Sequence, residues 1–253
     1  TKRFTVKNDK RFSSYRFTFD PLDKSHFQVA EIELQGFAPA AARPDGGYRR
    51  ELDIAKAVHT MAHETDGVNY KREYFASHPA GLLVFRLTAD QKAAYSGSIS
   101  LKDSHGGETR AAGNRLSFAG TLSGKYRKPQ ENYAIQLQYE AQVLVLNEGG
   151  SVDAADGKIT FKDCDSLLIL LDAGTDYLNR RDKGWKQEHA HKQITERLTK
   201  ASKRSFDELL REHVADYQEL FNRVVLDLGA SQKRNRALPT PKRLDAYRGA
   251  KVA

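Results

Sequence analysis

From residue 48 to residue 173 the apolar side chains recur at every second position, a period that admits little besides β-strands. The clearest run is Ile135, Leu137, Tyr139, Ala141 and Val143. Their alternate neighbours Gln136, Gln138, Glu140 and Gln142 are all polar, as a strand with one wet face requires. Further strands are expected at residues 52–60, 95–101, 115–122 and 158–161, with Gly106-Gly107, Gly149-Gly150 and Asp156-Gly157 as turns between them. Residues 167–171 read Leu-Leu-Ile-Leu-Leu, apolar on both faces, which predicts an interior strand covered from two sides. Residues 66–87 read as a hairpin. Asp66-Gly67 is a turn pair, residues 68–75 are rich in aromatic and branched side chains, and Pro79 to Gly81 interrupt the run before 82–87 resume it. The fold class that follows is mainly β, an antiparallel β-sandwich of many strands.

After Asp176 the period changes to that of a helix. Ile194, Leu198 and Ala201 fit one short helix, and Ser205-Phe206-Asp207-Glu208 has the form of a capping box that opens a second. Phe206, Leu209, Leu210, Val214, Tyr217, Leu220 and Phe221 then make one apolar stripe at 3.6 spacing, so this helix must pack against something. A returning strand is expected at 224–228, then a polar loop, then a helix opened by Thr240-Pro241. At the other end, residues 15–19 and 27–34 read as two strands, and 38–47, with two prolines and two glycines, as a linker. The expected organisation is a partial β segment over 1–37, the linker 38–47, the sandwich 48–177 and a helical connector over 178–253.

The net charge of +8 raises the question of a nucleic-acid partner, and its location answers it. Residues 1–177 hold 23 Lys and Arg against 23 Asp and Glu; the remaining 18 and 10 fall in the C-terminal third. A basic face on amphipathic helices, without a recognised motif or base-stacking aromatics beside it, reads as solvated or interdomain surface. No nucleic-acid and no membrane partner is expected, since no apolar run approaches membrane-spanning length. The first residue is not Met and no apolar leader follows Lys2 and Arg3, which suggests a processed or shortened start. The lone Cys164 excludes an internal disulfide and reads as a small buried side chain rather than a nucleophile.

Preceded by Tyr48-Arg49-Arg50-Glu51-Leu52-Asp53, the hairpin with its Gly67-Val68-Asn69-Tyr70-Lys71-Arg72-Glu73-Tyr74-Phe75-Ala76-Ser77-His78-Pro79 run resembles the N-terminal β-sandwich region of glycoside hydrolase family 95, the α-L-fucosidases. The resemblance continues in order through Asp172-Ala173-Gly174-Thr175-Asp176-Tyr177, Ser205-Phe206-Asp207-Glu208-Leu209, His213-Val214-Ala215-Asp216-Tyr217 and Leu238-Pro239-Thr240-Pro241. It covers about residues 48–253; residues 1–37 are similar to the closing strands of a discoidin-like domain. What it implies is a supersandwich-like domain, then a helical connector, cut before an (α/α)6 barrel beyond residue 253 that carries the catalytic groups. The parent would be a secreted or periplasmic enzyme hydrolysing α-L-fucosidic or α-L-galactosidic linkages with inversion, with a glycan and that barrel as partners and without a cofactor.

The residues themselves offer no glycosidase pair. Glu64 and Asp66, Asp163 and Asp165, and Asp153 and Asp156 all flank turns, and read as turn chemistry. No catalytic or metal residue is assigned. His189 and His191, beside Glu188 and Trp185, are the one cluster that suggests a metal or a stacking surface, but i and i+2 do not share a helix face. His59 and His63 share a strand face without forming a motif. Trp185 is a candidate for stacking on a sugar, with packing at a seam the favoured alternative, and Tyr15 and Tyr48 are candidates of the same kind. Two readings compete: a noncatalytic part of a fucosidase-like hydrolase, or a stand-alone carbohydrate-binding sandwich.

Overall fold

The computed structural model describes residues 46–128, 131–226, 233–236 and 238–250. The two strands expected at 15–19 and 27–34, residues 38–45 of the linker expected at 38–47, and with them Tyr15, lie outside the described residues; the last two linker residues, Gly46 and Gly47, open the first strand.

Eleven strands are described. They are β1 (Gly46–Asp53), β2 (Val58–Thr65), β3 (Val68–Ser77), β4 (Leu82–Ala89), β5 (Tyr95–Ser100), β6 (Arg110–Ala112), β7 (Arg115–Lys128), β8 (Glu131–Glu148), β9 (Ser151–Ala155), β10 (Lys158–Cys164) and β11 (Ser166–Thr175). Eight form one antiparallel sheet in the order β1-β2-β3-β4-β11-β8-β7-β6, and β5-β10-β9 form a smaller antiparallel sheet. Helices α1 (His191–Ala201) and α2 (Phe206–Phe221) follow, then a single turn α3 (Lys233–Arg236) and α4 (Thr240–Ala250).

The uniformly apolar run at 167–171 explains the layering. It lies in β11, paired with β4 on one side and β8 on the other. Leu167, Ile169 and Leu171 face a core shared with the small sheet, through Tyr95, Ile159, Phe161 and Cys164. Leu168 and Leu170 face a second core closed by Ile194 and Leu198 of α1 and by Phe206 and Leu209 of α2. Both faces of the large sheet are therefore dry at its centre. Each fully buried Leu or Ile there contributes about 1.5–3 kcal/mol relative to exposure.

The expected hairpin is β3–β4, turning at His78 to Gly81, where the Gly81 amide donates to the His78 carbonyl at 3.1 Å and Gly81 takes φ +66°. The single strand expected at 52–60 is instead broken by a turn. The Asp53 carboxylate accepts from the Ala55 amide at 3.0 Å and pairs with Lys56 at 3.2 Å, so β1 ends and β2 begins around residues 54–57. Asp53 does there what Gly or Pro usually does.

Helix α2 opens on the expected capping box. Ser205 Oγ accepts from the Glu208 amide at 3.2 Å, and the Glu208 carboxylate accepts from the Ser205 amide at 2.8 Å. Its apolar stripe is buried only along the first half. Phe206 and Leu209 are covered, whereas Leu220 and Phe221 are 61% and 40% exposed. The strand expected at 224–228 does not form over 224–226: Val224, Val225 and Leu226 carry no pairing and are exposed, because no sheet edge meets them. Residues 227–228 lie outside the described residues.

Candidate functional site

Polar and aromatic side chains concentrate where β8 and β11 meet the segment leading into α1. The alternation of β8 predicts that Glu140 and Gln142 are wet. They are not: Glu140 is 5% and Gln142 1% exposed, because the start of α1 lies over them. That approach depends on Gly174 of β11, where a Cβ would come within 2.8 Å of the Ala190 methyl.

Burial forces these polar groups into a network. The Gln142 amide donates to Glu140 Oε1 at 2.5 Å and to Thr195 Oγ1 at 3.0 Å, while Arg115 of β7 donates to Gln142 Oε1 at 2.5 Å. Burial pulls the Arg115 guanidinium below its ordinary pKa, and the Glu140 charge works in the opposite direction. His191, the first residue of α1, sets Nδ1 2.8 Å from Glu140 Oε1. His189 is held differently. Its Nδ1 accepts the His191 amide at 3.2 Å and stands 3.6 Å from Glu140 Oε2, too long for a hydrogen bond. The two histidines thus converge on one carboxylate, but among the described residues no group of three such side chains is arranged to hold a metal ion. The network acts as a staple, with a buried anion under the positive end of a helix.

The loop between β11 and α1 carries the aromatic candidates. Asp176, 2% exposed, accepts from the Gln138 amide at 2.9 Å and so ties the loop to β8. Tyr177 then pairs with Lys186 across an isolated bridge, a 3-10 turn occupies Arg181–Lys183, and Gly184 and Trp185 both adopt left-handed conformations, φ +64° and +62°. For a tryptophan that is an uncommon backbone state. The rings of Tyr177 and Trp185 are parallel to within 1° with centroids 6.5 Å apart, and the residues are 49% and 46% exposed.

The other candidates do not join this site. Tyr48 lies on edge strand β1, 49% exposed. His59 and His63 of β2 stack on Tyr74 and Tyr70 of β3 at 5.3 and 5.1 Å, as cross-strand pairs do. Asp66 and Asp156 take positive φ in hairpin turns, and Asp165 accepts the Ala93 amide at 2.7 Å. Cys164 is buried, and burial pushes its thiol up, opposite to what a nucleophile needs. Two residues escaped the sequence reading altogether. Glu140 looked like one polar position among four; His213, 4% exposed, fills the apolar stripe of α2 seven residues after Phe206. The helical spacing alone could have placed it.

The described β domain has two stacked antiparallel sheets, with α1 and α2 covering the outer face of the larger one and a surface aromatic pair on the loop that leads to them, and its sequence relatives are those of glycoside hydrolases. The chain belongs to the family described as glycosyl hydrolase family 65, N-terminal domain, whose model matches residues 7–180. The glycosyl hydrolase family 95 catalytic domain model matches residues 205–252, which takes in α2, α3 and α4. Alpha-L-fucosidase 2 of Arabidopsis thaliana is 28% identical over 222 residues, covering 80% of this chain and 26% of its own length. "Probable alpha-fucosidase A" of Aspergillus niger is 28% identical over 194 residues, covering 72% of this chain and 23% of its own length. The chain therefore spans about a quarter of the length of the curated relatives it matches. Among solved structures, one titled "Putative kojibiose phosphorylase from human microbiome" is similar at 10% identity with TM-score 0.39, over 69% of this chain and 25% of that one.

Proposed function

We propose that this chain is the noncatalytic N-terminal sandwich and helical part of an α-L-fucosidase-like hydrolase that acts on α-L-fucosidic or α-L-galactosidic linkages with inversion. The observation that carries the reading is the pair of family matches in one order, the N-terminal domain over 7–180 and the family 95 catalytic domain over 205–252, with relatives named as fucosidases across most of the chain. Inverting hydrolysis needs an acid and a water-activating carboxylate roughly 6.5–9.5 Å apart with space for sugar and water between them. The carboxylates described above fit that poorly, since Glu140, Asp165 and Asp176 are each taken up by protein donors. In this reading the acid and base lie in a following barrel, and the sandwich and α2 support it.

The test is release of fucose from fucosyl-oligosaccharides by the 253-residue chain and by an extended protein that includes the barrel. The expected result is turnover by the extended protein alone. Turnover by the short chain, abolished by changing one of its own carboxylates, would overturn the assignment.

A further inference from the structure

We propose that Tyr177 and Trp185 form a carbohydrate-binding platform that takes the C–H face of a pyranose ring in a glycan chain. The choice of ligand class rests on the glycoside-hydrolase reading above; the geometry of the platform does not.

Neither ring serves a core. Trp185 belongs to neither of the two buried clusters, and both residues remain about half exposed. Parallel rings with centroids 6.5 Å apart are offset rather than face to face, so each leaves much of a flat apolar surface open to solvent. Such a surface usually costs stability through its hydration, and here the backbone is strained as well. A bulky residue at φ +62° is held only where its surroundings over-determine it.

Those surroundings are visible. The Leu178 amide donates to the Trp185 carbonyl and the Trp185 amide to the Arg180 carbonyl, each at 3.0 Å. Gln187 donates its side-chain amide to the Tyr177 carbonyl at 3.0 Å, and Arg180 grips Asp182 through two bonds of 2.8 and 2.5 Å. The loop is thus ordered before any ligand arrives, which removes part of the entropic cost of binding.

Polar groups stand around the rings, as recognition of a hydroxylated ring requires. The Tyr177 hydroxyl donates to Asn179 Oδ1 at 3.3 Å and keeps lone pairs to accept from a sugar hydroxyl. Apolar faces with a few fixed polar groups suit a ring that is apolar on one face and hydroxylated at its rim. A nucleic acid would ask for a continuous cationic track, whereas two of the four cations that flank Trp185 are taken up by carboxylates, Arg180 by Asp182 and Lys186 by Asp176, which leaves Arg181 and Lys183. A protein partner remains the competing occupant, and the experiment below separates it from a glycan.

Trp185 is the chain's single tryptophan, so its emission reports on this place and nowhere else. The full 253-residue chain is titrated with a fucosyl-lactose trisaccharide and, in parallel, with lactose, following emission and heat of binding. The expected result is a saturable change in Trp185 emission with at least one of the two sugars, weakened roughly tenfold in Tyr177→Ala. Trp185→Ala is expected to abolish the calorimetric signal while thermal melting stays as in the parent chain. Trp185→Phe, which keeps a ring, is expected to retain part of the affinity.

Three outcomes would overturn the platform: no emission change with either sugar, heat of binding without an emission change, or full affinity in a folded Tyr177→Ala. Failure of the fucosidase reading looks different. Fucose would then not be released by the extended protein, while binding at Trp185 stands.

Discussion

His213 shows how one polar residue can close an apolar helix face. Its ring stacks on Phe75 with centroids 4.7 Å apart, and Nε2–H donates to the Lys56 and Ala57 carbonyls at 3.0 and 3.3 Å. Those carbonyls belong to the turn between β1 and β2, where Ala57 stands at φ +50°, so the imidazole both fills the core and fixes a strained turn. His213→Ala leaves a cavity and two carbonyls short of a donor; the expected loss is about 2–4 kcal/mol, read from urea unfolding. A loss within error would show that the turn holds without it. Asp103 gives a pH-dependent counterpart. The Tyr139 hydroxyl donates to its carboxylate at 2.7 Å, and the His105 and Gly107 amides donate at 3.0 and 2.6 Å. The Tyr139 bond first, and the two amides after it, lower its pKa from the ordinary carboxylate value. A carboxylate whose folded pKa is depressed stabilises the fold above its unfolded pKa, and that contribution is lost as pH falls through the folded value. Asp103→Asn is therefore expected to flatten the acid limb of the stability profile and to leave less stability at neutral pH. Parallel profiles for the two proteins would count against the clamp.

At the scale of elements, contact between α1 and the sheet turns on Gly174. A methyl group there meets Ala190 just before α1 begins, so Gly174→Ala should push α1 outward and cost about 1–3 kcal/mol in thermal or urea unfolding. It should also loosen the staple, seen as a changed chemical shift of the His191 ring protons that now sit beside Glu140; an unchanged melting curve would mean that the sheet yields instead. The same element shows where sequence reading succeeds and where it stops. The interior position of β11 was legible because Leu167 to Leu171 have no polar face to offer solvent, and the start of α2 was legible because Ser205 and Glu208 are spaced for mutual capping. Both signals are local. The burial of Glu140 and Gln142 is not, since it depends on a helix 50 residues away in sequence, about the separation seen in the His191 and Thr195 contacts. The turn at 54–57 was hidden because Asp53 makes it without Gly or Pro. The strand expected at 224–228 had the right composition over 224–226, but branched apolar residues specify a strand only where a neighbour completes the ladder.

Across the described molecule, the two cores share the large sheet as a common wall, and apolar burial is nearly continuous from the small sheet through to α1 and the first half of α2. The second half of α2 breaks that pattern. Leu220, Phe221, Val224, Val225 and Leu226 are all exposed, the last three by 78–86%, and no charged side chain stands among 224–226. A short run of this density on a surface favours association, because covering it removes apolar area from water at about 25 cal/mol per Å². The isolated 253-residue chain is therefore expected to self-associate as its concentration rises, seen as an increase in weight-average sedimentation coefficient. Val225→Asp together with Leu226→Asp should suppress that increase. Neither residue belongs to a core cluster, so melting measured at low concentration should move by no more than the roughly 0.5 kcal/mol typical of surface substitutions. A parent chain that stays monomeric at every concentration would show that the run is covered by the chain itself, and a large fall in melting temperature would show that these residues support the fold.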